Sequence, residues 1–543
     1  MMATEGKKIT GIDRCDVVLI RPRGERYRAE KQRPAAVGPY YDCYESLGMG
    51  YVAAALRKAG ARVSIIDGTI DPWTTDEILE RTLAANPVLV GFSILWEGYP
   101  DVQEFCRNLR AAGYQGHLTV GQHFATFNAR RILADTPEMD SVVRFEGEET
   151  AVQVWEHVRS GKSLEGVPGI AYRNPAGAAV ETPTRPLVHD LDVLPFPSRD
   201  VMERNLDRIH QVTISASRGC PWRCNYCSIT TFYRIPQGKV IRHRSPKSVV
   251  DEMEQIVHKY NRRRFSFTDD QFMGAGQSGR DFARAFAREI IDRGLEVYFA
   301  FDTRADTIDR ETFALLKRAG LWRVFMGIES GYQPTLDYFR KDITVEQNLK
   351  AVKILQSLDI GFTMGMIMFT ERSSLSEVRA NLAFLRETNE FGPQVFFQDL
   401  SIWSGTTFME GQPGGDVADM YTRVYEIADA GVRQFRSRIQ EMLQPLAGPY
   451  QNIVQHRNRG TLPVPLIQRC EQKLRDVTMS AAEDLLCLVE QQEATPAALA
   501  DLTRRVEGGA VQIQLALDMA EMFSQGSFEK GSLPGSLMLG NDV

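Results

Sequence analysis

The chain has 543 residues, 43% hydrophobic and 25% charged, with 64 Lys and Arg against 70 Asp and Glu. That is the composition of ordinary globular protein, with length for about three or four domains, and the net charge of −6 argues against a dedicated nucleic-acid binder. The longest apolar stretches, Val88–Leu95 and Gly361–Phe369, fall well short of the roughly 18 residues of a membrane span. Met1–Thr10 carries two lysines and no apolar run after them, so no secretory signal is expected. Eight cysteines in this length are no disulfide framework, and a reducing, cytoplasmic setting is expected. Three of them, Cys220, Cys224 and Cys227, are crowded together.

In chain order, Asp16–Ile20 reads as an apolar strand, Ser46–Gly60 as a helix stopped by glycine, and Arg62–Asp67 as the next strand. Thr75–Ala84 is a second helix, Val88–Ile94 a fully apolar strand, Pro100–Ala112 a third helix and His117–Val120 a further strand. Continuous apolar strands alternating with helices predict a parallel sheet covered on both faces, with ligands at the carboxyl ends of its strands.

Turn chemistry at Gly161–Ser163, Asn174–Gly177 and Pro183–Pro186, then the stiff Leu194–Ser198, marks a boundary. The rhythm resumes with strands near Val212–Ser215, Arg264–Thr268, Val297–Phe301, Arg323–Ile328, Gly361–Phe369 and Gln394–Leu400. Helices fall between them at Pro246–Tyr260, Gly279–Arg293, Arg310–Ala319, Val345–Leu358 and Ser376–Thr388. Six strands and five helices fit a partial (β/α) barrel. Beyond Gly405, Asp416–Met442, Leu466–Gln491 and Thr495–Met522 read as helices and Ser524–Val543 as a loose tail. The expected division is therefore 1–150, a linker at 151–205, a barrel at 206–405 and a helical cap at 406–543.

Ser217-Arg-Gly-Cys220-Pro-Trp-Arg-Cys224-Asn-Tyr-Cys227 follows the first strand of the barrel. Three thiolates so spaced can wrap one corner of an iron–sulfur cube and leave one iron open. A structural zinc site is the alternative and needs a fourth ligand, for which His210 and His243 stand nearest. Gly219, Pro221 and Arg223 suit a loop and not a core.

On these residues the chain resembles the radical S-adenosylmethionine (SAM) superfamily. The resemblance implies a [4Fe–4S] cluster on Cys220, Cys224 and Cys227 whose open iron takes SAM, and an electron that cleaves SAM to a 5′-deoxyadenosyl radical. It places Tyr226 near the adenine, Asp269 and Asp270 toward the amino group of SAM, Arg304 toward its carboxylate and Glu329 on its ribose. Each alone also fits a plain structural role, as a helix cap or core residue. Met366–Thr370 departs from the family's turn and receives no contact.

The front domain resembles the cobalamin-binding Rossmann module of one radical SAM subfamily. The carriers are Ser46–Gly60, Gly91–Leu95, Thr119–Thr126 and Val143–Glu149, within which Ser93-Ile-Leu95 and Gly121 match the module's marks. Candidate cobalamin contacts are Ser93, Leu95, Gly121, Gln122 and Glu146, small residues there letting a nucleotide tail approach the backbone. Gln122 replaces the module's second glycine, and no histidine occupies its cobalt-ligand frame, Arg21–Gly24 following the first strand instead. A Rossmann domain that has lost its cofactor is the plain alternative. A tRNA methylthiotransferase, with a second cluster on Cys15, Cys43 and Cys106, is another. Against it, Cys106 sits in a helical pattern, the tail is helical and the chain acidic. Cys470 and Cys487 lie on expected helices and default to core packing.

The resemblance implies the following fold class: an N-terminal Rossmann-like cobalamin-binding domain, a partial (β/α)6 radical SAM barrel and a helical C-terminal domain. It implies an enzyme in which the radical activates a small-molecule substrate and methylcobalamin delivers a methyl group. Ring contraction or cyclisation without methyl transfer uses the same parts, and a cobalamin sensor is the non-enzymatic reading. The expected electron donor is a flavodoxin or ferredoxin type of reductant, with no nucleic-acid or membrane partner. Trp403, Phe408 and Tyr421 stand where the cap meets the barrel, where packing is their default role.

Overall fold

Seven strands form the first sheet: β1 (Val17–Arg21), β2 (Val63–Asp67), β3 (Leu89–Ser93), β4 (His117–Gly121), β5 (Ser141–Val143), β6 (Ile170–Arg173) and β7 (Ala179–Glu181). They lie in the order β2-β1-β3-β4-β5-β6-β7 in the computed structural model, which describes residues 14–24, 44–410, 422–423 and 425–524. The first five are parallel, and β6 and β7 return antiparallel. Val17, Val18, Val90 and Leu118 are wholly buried, as strands covered on both faces require. The covering helices are α1 (Leu47–Lys58), α2 (Thr75–Ala85), α3 (Tyr99–Ala111) and α4 (Glu148–Arg159). Thr74 and Glu77 start α2 with a reciprocal capping box. The stretch 151–205 carries the rest of α4 and the two antiparallel strands of this sheet.

The second sheet is parallel, in the order β14-β13-β12-β11-β8. Its strands are β8 (Val212–Ile214), β11 (Arg264–Phe267), β12 (Tyr298–Arg304), β13 (Leu321–Glu329) and β14 (Gly361–Met366). Between β8 and β11 a short antiparallel pair forms from β9 (Ser217–Arg218) and β10 (Arg242–His243). The outer layer is α5 (Pro246–Tyr260), α6 (Gly276–Asp292), α7 (Arg310–Arg318), α8 (Val345–Ser357) and α9 (Leu375–Thr388). α6 buries Ala283, Phe286, Ala287 and Ile290, one helical stripe, against the buried rings of Phe267, Phe272 and Phe299.

The expected sixth strand differs. Gln394–Leu400 is a 3-10 turn over Pro393–Phe397 followed by one parallel bridge, Asp399 to Phe369. Met368 N–H donates to the Gln398 carbonyl and Leu400 N–H to that of Phe369, both at 2.8 Å. The phenylalanine-rich run suggested a strand, but Pro393 opens a turn and a bridge holds the sixth barrel position.

Helices α10 (Ala430–Leu443), α11 (Ala447–Arg459), α12 (Val464–Glu490) and α13 (Pro496–Ser524) close the chain. The helix expected at Asp416–Met442 starts at Ala430 among the described residues, Tyr421 and the tail after Ser524 lie outside them, and α11 escaped the sequence reading. Among the described residues no helix is long and apolar enough to cross a membrane. Front sheet and barrel are joined by a buried ionic chain in which Arg199 pairs with Glu45 and with Glu252, and Arg244 pairs with Glu252 at 2.5 Å.

Candidate functional site

The cysteine loop leaves the carboxyl end of β8. Gly219 starts it at φ +88°, and a Cβ there would stand 2.0 Å from the Val240 carbonyl oxygen, so no other residue fits. Cys224 is buried, and Cys220 and Cys227 are half-buried. Burial pushes the Cys220 thiol up to about 11 and the Cys227 thiol up to about 12, and each also feels the charge of its companions. Cys220 and Cys227 therefore keep their protons at neutral pH in the metal-free protein. Among the described residues no three His, Cys, Asp or Glu side chains converge on one point as a single metal ion requires. A cube asks for no such point, because it spreads three thiolates over three irons. The zinc alternative finds His210 exposed and His243 Nε2 on the Phe272 carbonyl at 3.3 Å.

The SAM candidates come together around this loop in unequal ways. Tyr226 Oη donates to Glu329 Oε1 at 2.9 Å and its ring packs on Phe339. Glu329 closes β13 at φ +63° and takes Lys341 Nζ at 2.5 Å. Arg304 is engaged within the protein: Nε and Nη2 bind the Asp306 carboxylate, Nη2 the Lys341 carbonyl, and Nη1 reaches Cys224 Sγ at 3.7 Å. Its guanidinium lies 4.5 Å from the centre of the Trp222 ring. Asp269, 3% exposed, accepts from the Ala216 backbone N–H, and burial pushes its carboxyl up to about 7. Asp270 accepts from Gly219 N–H at 3.0 Å, and burial raises it to about 6. Asp269 thus holds the end of β8, while Asp270 faces open space. Asp302, which the motifs did not suggest, has its carboxyl raised to about 7, by burial first and Asp270 second. It touches solvent although protein surrounds it, as a group lining an open mouth does.

A cavity of about 360 Å³ runs from the front sheet to this loop. On one side it is lined by Gly91, Ser93, Thr119, Gly121 and Gln122, and on the other by Ser215, Ser217, Arg218, Thr268 and Asp270. Of the cobalamin candidates, Ser93, Gly121, Gln122 and Glu146 line it, whereas Leu95 lies outside and is 46% exposed. Glu146 does not point freely into it: the carboxylate accepts from Arg218 at 3.1 Å, Arg242 at 3.0 Å and Val188 N–H at 2.7 Å. Arg218 also pairs with Glu148 at 2.5 Å. The front sheet's β5 end is thereby tied to the residue two before Cys220. The slot between β1, β3, α1 and α4 is apolar, walled by Leu19, Leu89, Leu56 and Val154. These residues fit a large nucleotide-tailed cofactor, apolar along its tail slot and polar where it meets the barrel.

His123 also lines the cavity and was missed, because its place directly after Gln122 matches no ligand frame. Its ring stacks on Phe232 at 3.9 Å, Nε2 is buried without a partner, and burial lowers its pKa to about 4. Lys341, the partner of Glu329, carried no sequence signal either. Cys15 and Cys106 are buried in the front core, and Cys43 lies outside the described residues. Cys470 is buried as expected, but Cys487 is exposed. Seventeen residues of helix turn it about 100° away from Cys470, off the packed face. Trp403 packs on Trp96 with ring centres 4.2 Å apart and planes tilted by 50°, and Phe408 is buried against Tyr338.

Residues 214–382 match the Radical SAM superfamily and residues 34–154 the B12 binding domain. The chain is 26% identical over 374 residues to an uncharacterized methyltransferase, PH0819, of Pyrococcus horikoshii, covering 68% of this chain and 78% of that protein. It is 27% identical over 352 residues to an anaerobic magnesium-protoporphyrin IX monomethyl ester cyclase of Rubrivivax gelatinosus, covering 63% of this chain and 62% of that one. The solved structure of the cobalamin-dependent SAM radical enzyme OxsB with aqua-cobalamin superposes with a TM-score of 0.74 at 17% identity, over 95% of this chain and 82% of that chain, a likeness of fold. The chain therefore belongs to the radical SAM enzymes that carry a B12-binding domain, with a [4Fe–4S] cluster, SAM and cobalamin as cofactors.

Proposed function

We propose that this enzyme is a methyltransferase acting on an unactivated carbon of a small-molecule intermediate. The supporting observation is the single cavity that both domains line, with Gly121 and Ser93 on one wall and Asp270 and Ser217 on the other. When bound, the cluster and SAM supply a hydrogen-abstracting radical, and cobalamin supplies a methyl group. The protein's part is to hold both cofactors against one substrate and keep water out. Tyr226 and Glu329 form the polar wall beside Cys227, Asp270 and Asp302 supply acceptors at the barrel mouth, and Arg304 holds the loop at Cys224. A cavity of about 360 Å³ suits a small molecule better than a macromolecule.

The cyclase of Rubrivivax gelatinosus among the relatives favours a second reading, ring formation or contraction with no methyl transferred. One experiment separates the two. Anaerobic holoenzyme is incubated with deuterated-methyl SAM and small-molecule extract, and the products are read by mass spectrometry. A product carrying the labelled methyl supports methylation. Substrate-dependent 5′-deoxyadenosine without label in any product overturns it in favour of the ring reaction.

A further inference from the structure

Residues 208–250, which contain the cysteine loop, hold no Asp or Glu but eight Lys or Arg, in a chain of net charge −6. Four of the eight are in ion pairs, and a fifth is held on a backbone carbonyl of the front domain. Arg218, Arg242 and Arg244 are in the buried ion pairs with Glu146, Glu148 and Glu252, Arg208 donates to the Ile70 carbonyl, and Lys247 pairs with Asp251. The other three are Arg223, inside the loop, and Arg234 and Lys239, in the segment that follows it. Arg234 Nη2 donates to the carbonyls of Pro221 and Trp222 at 2.9 and 3.0 Å, which seats it directly over the residues after Cys220. The charged groups acting on Arg234 are Arg223 and Cys220, with no carboxylate among them. Arg223 and Lys239 are exposed, and among the described residues neither has an ion-pair partner. Ile235, which follows Arg234 in the chain, is 48% exposed. Cys220 and Cys227 are only half-buried.

We propose that the Arg223, Arg234, Ile235 and Lys239 surface is the docking site for an acidic protein that carries a one-electron donor near its own surface. The inference rests on the cysteine loop holding the cluster. Arg223 and Arg234 act on one another with no counter-charge and gain from an acidic face, and exposed cations together with an exposed apolar residue suit a transient interface. In the step itself one electron leaves the carrier and enters the cluster, so the carrier is oxidised and the cluster reduced by one equivalent, and no bond changes. Docking at Arg234 places the donor beside Pro221 and Trp222, the residues that follow Cys220.

The test uses cluster-loaded, full-length protein and reduced flavodoxin as the probe, followed by anaerobic stopped-flow between about 0.05 and about 0.5 M salt. Wild-type reduction should slow steeply as salt rises. The Arg223→Glu/Lys239→Glu variant should be slower at low salt by about tenfold or more and lose most of the salt dependence. Ile235→Asp, which leaves the cations in place, should slow reduction at every salt concentration. Photoreduction by neutral 5-deazariboflavin should be unchanged in all variants, and Lys350→Glu on α8 should behave as wild type with both donors. Equal flavodoxin rates in wild type and the double variant overturn the proposal. So does an equal fall in both kinds of reduction, which would place the residues' effect on the cluster and not on docking. If wild type assembles no cluster at all, the reading of the cysteine loop fails instead.

Discussion

Tyr226 and Glu329 are 103 residues apart in the chain, yet Tyr226 Oη donates to Glu329 Oε1 at 2.9 Å. The contact ties the middle of the cysteine loop to the end of β13, and Lys341 Nζ completes it, 2.5 Å from the same oxygen. Both ends are buried: Lys341 is 3% and Glu329 9% exposed. A buried pair broken on one side leaves a charge with no counter-charge, which costs about 3–5 kcal/mol, whereas removing both charges is often nearly neutral. Glu329→Gln and Lys341→Met should each lower the apoprotein's unfolding free energy by that order, and the double variant should recover most of the loss. Tyr226→Phe should cost only about 1 kcal/mol. Urea unfolding of the four variants checks this, and additive single effects would refute the pairing.

Gly327 belongs to the same arrangement. A Cβ at that position would stand 2.6 Å from Glu329 Oε1 and 2.9 Å from Lys341 Nζ. Gly327→Ala should therefore push the pair apart and lower SAM affinity, with the cluster content unchanged. Equilibrium binding of SAM to cluster-loaded protein measures it; wild-type affinity in the alanine variant would show that the trio plays no part in holding SAM.

Asp269 makes stability depend on pH. Its folded pKa stands at about 7, against an ordinary value of 3.8. A carboxyl raised in this way favours the fold fully below its unfolded value, and that contribution is lost as pH rises through the folded one. Wild-type apoprotein should thus lose stability between about pH 4 and about pH 7. Asp269→Asn keeps an acceptor for Ala216 N–H without the charge. Its advantage over wild type should be roughly 3 kcal/mol larger at pH 8 than at pH 5. A gap that does not change with pH would mean that Asp269 is not held protonated.

What could be read from sequence follows the range of the interaction. Cys220, Cys224 and Cys227 were legible because their chemistry is local, three ligands in one loop. The apolar strands of both sheets were legible because burial on two faces leaves an unbroken signal. Arg304 was found at the right strand end, but its distant partners, Cys224 and the Lys341 carbonyl, appear only when strand and loops meet. Asp269 and Asp270 are adjacent in sequence and part company in space, one inside the wall and one on its surface. Lys341 and His123 left no mark, because a lysine or histidine acquires its meaning from what it is buried against. The sixth strand failed for the opposite reason: a local apolar pattern was overruled by one proline, which opens a turn and leaves a single bridge.

The cysteines carry the most direct expectation. Single Cys220→Ala, Cys224→Ala and Cys227→Ala variants should each lose the iron and the visible absorption of the reconstituted cluster, and with them reductive cleavage of SAM. Cobalamin should still copurify, because the front sheet that lines its slot does not pass through the loop. Reductive SAM cleavage by the triple variant would contradict the assignment.

Gly121 tests the other half of the cavity. It ends β4 and lines the wall shared with the barrel, and a Cβ added there would meet only ordinary contacts, Val143 O at 3.5 Å and Val143 Cβ at 3.7 Å. The backbone thus tolerates a side chain, and what a larger one would fill is the cavity itself. Gly121→Ala should fold with wild-type stability and retain cobalamin. Gly121→Leu should also fold, within about 1 kcal/mol of wild type, but should lose cobalamin on gel filtration while still assembling its cluster. Such a protein would cleave SAM without transferring a methyl group, which separates the two domains' work within one chain. Retention of cobalamin by the leucine variant would move the cofactor off this wall and remove the main support for direct transfer across the shared cavity.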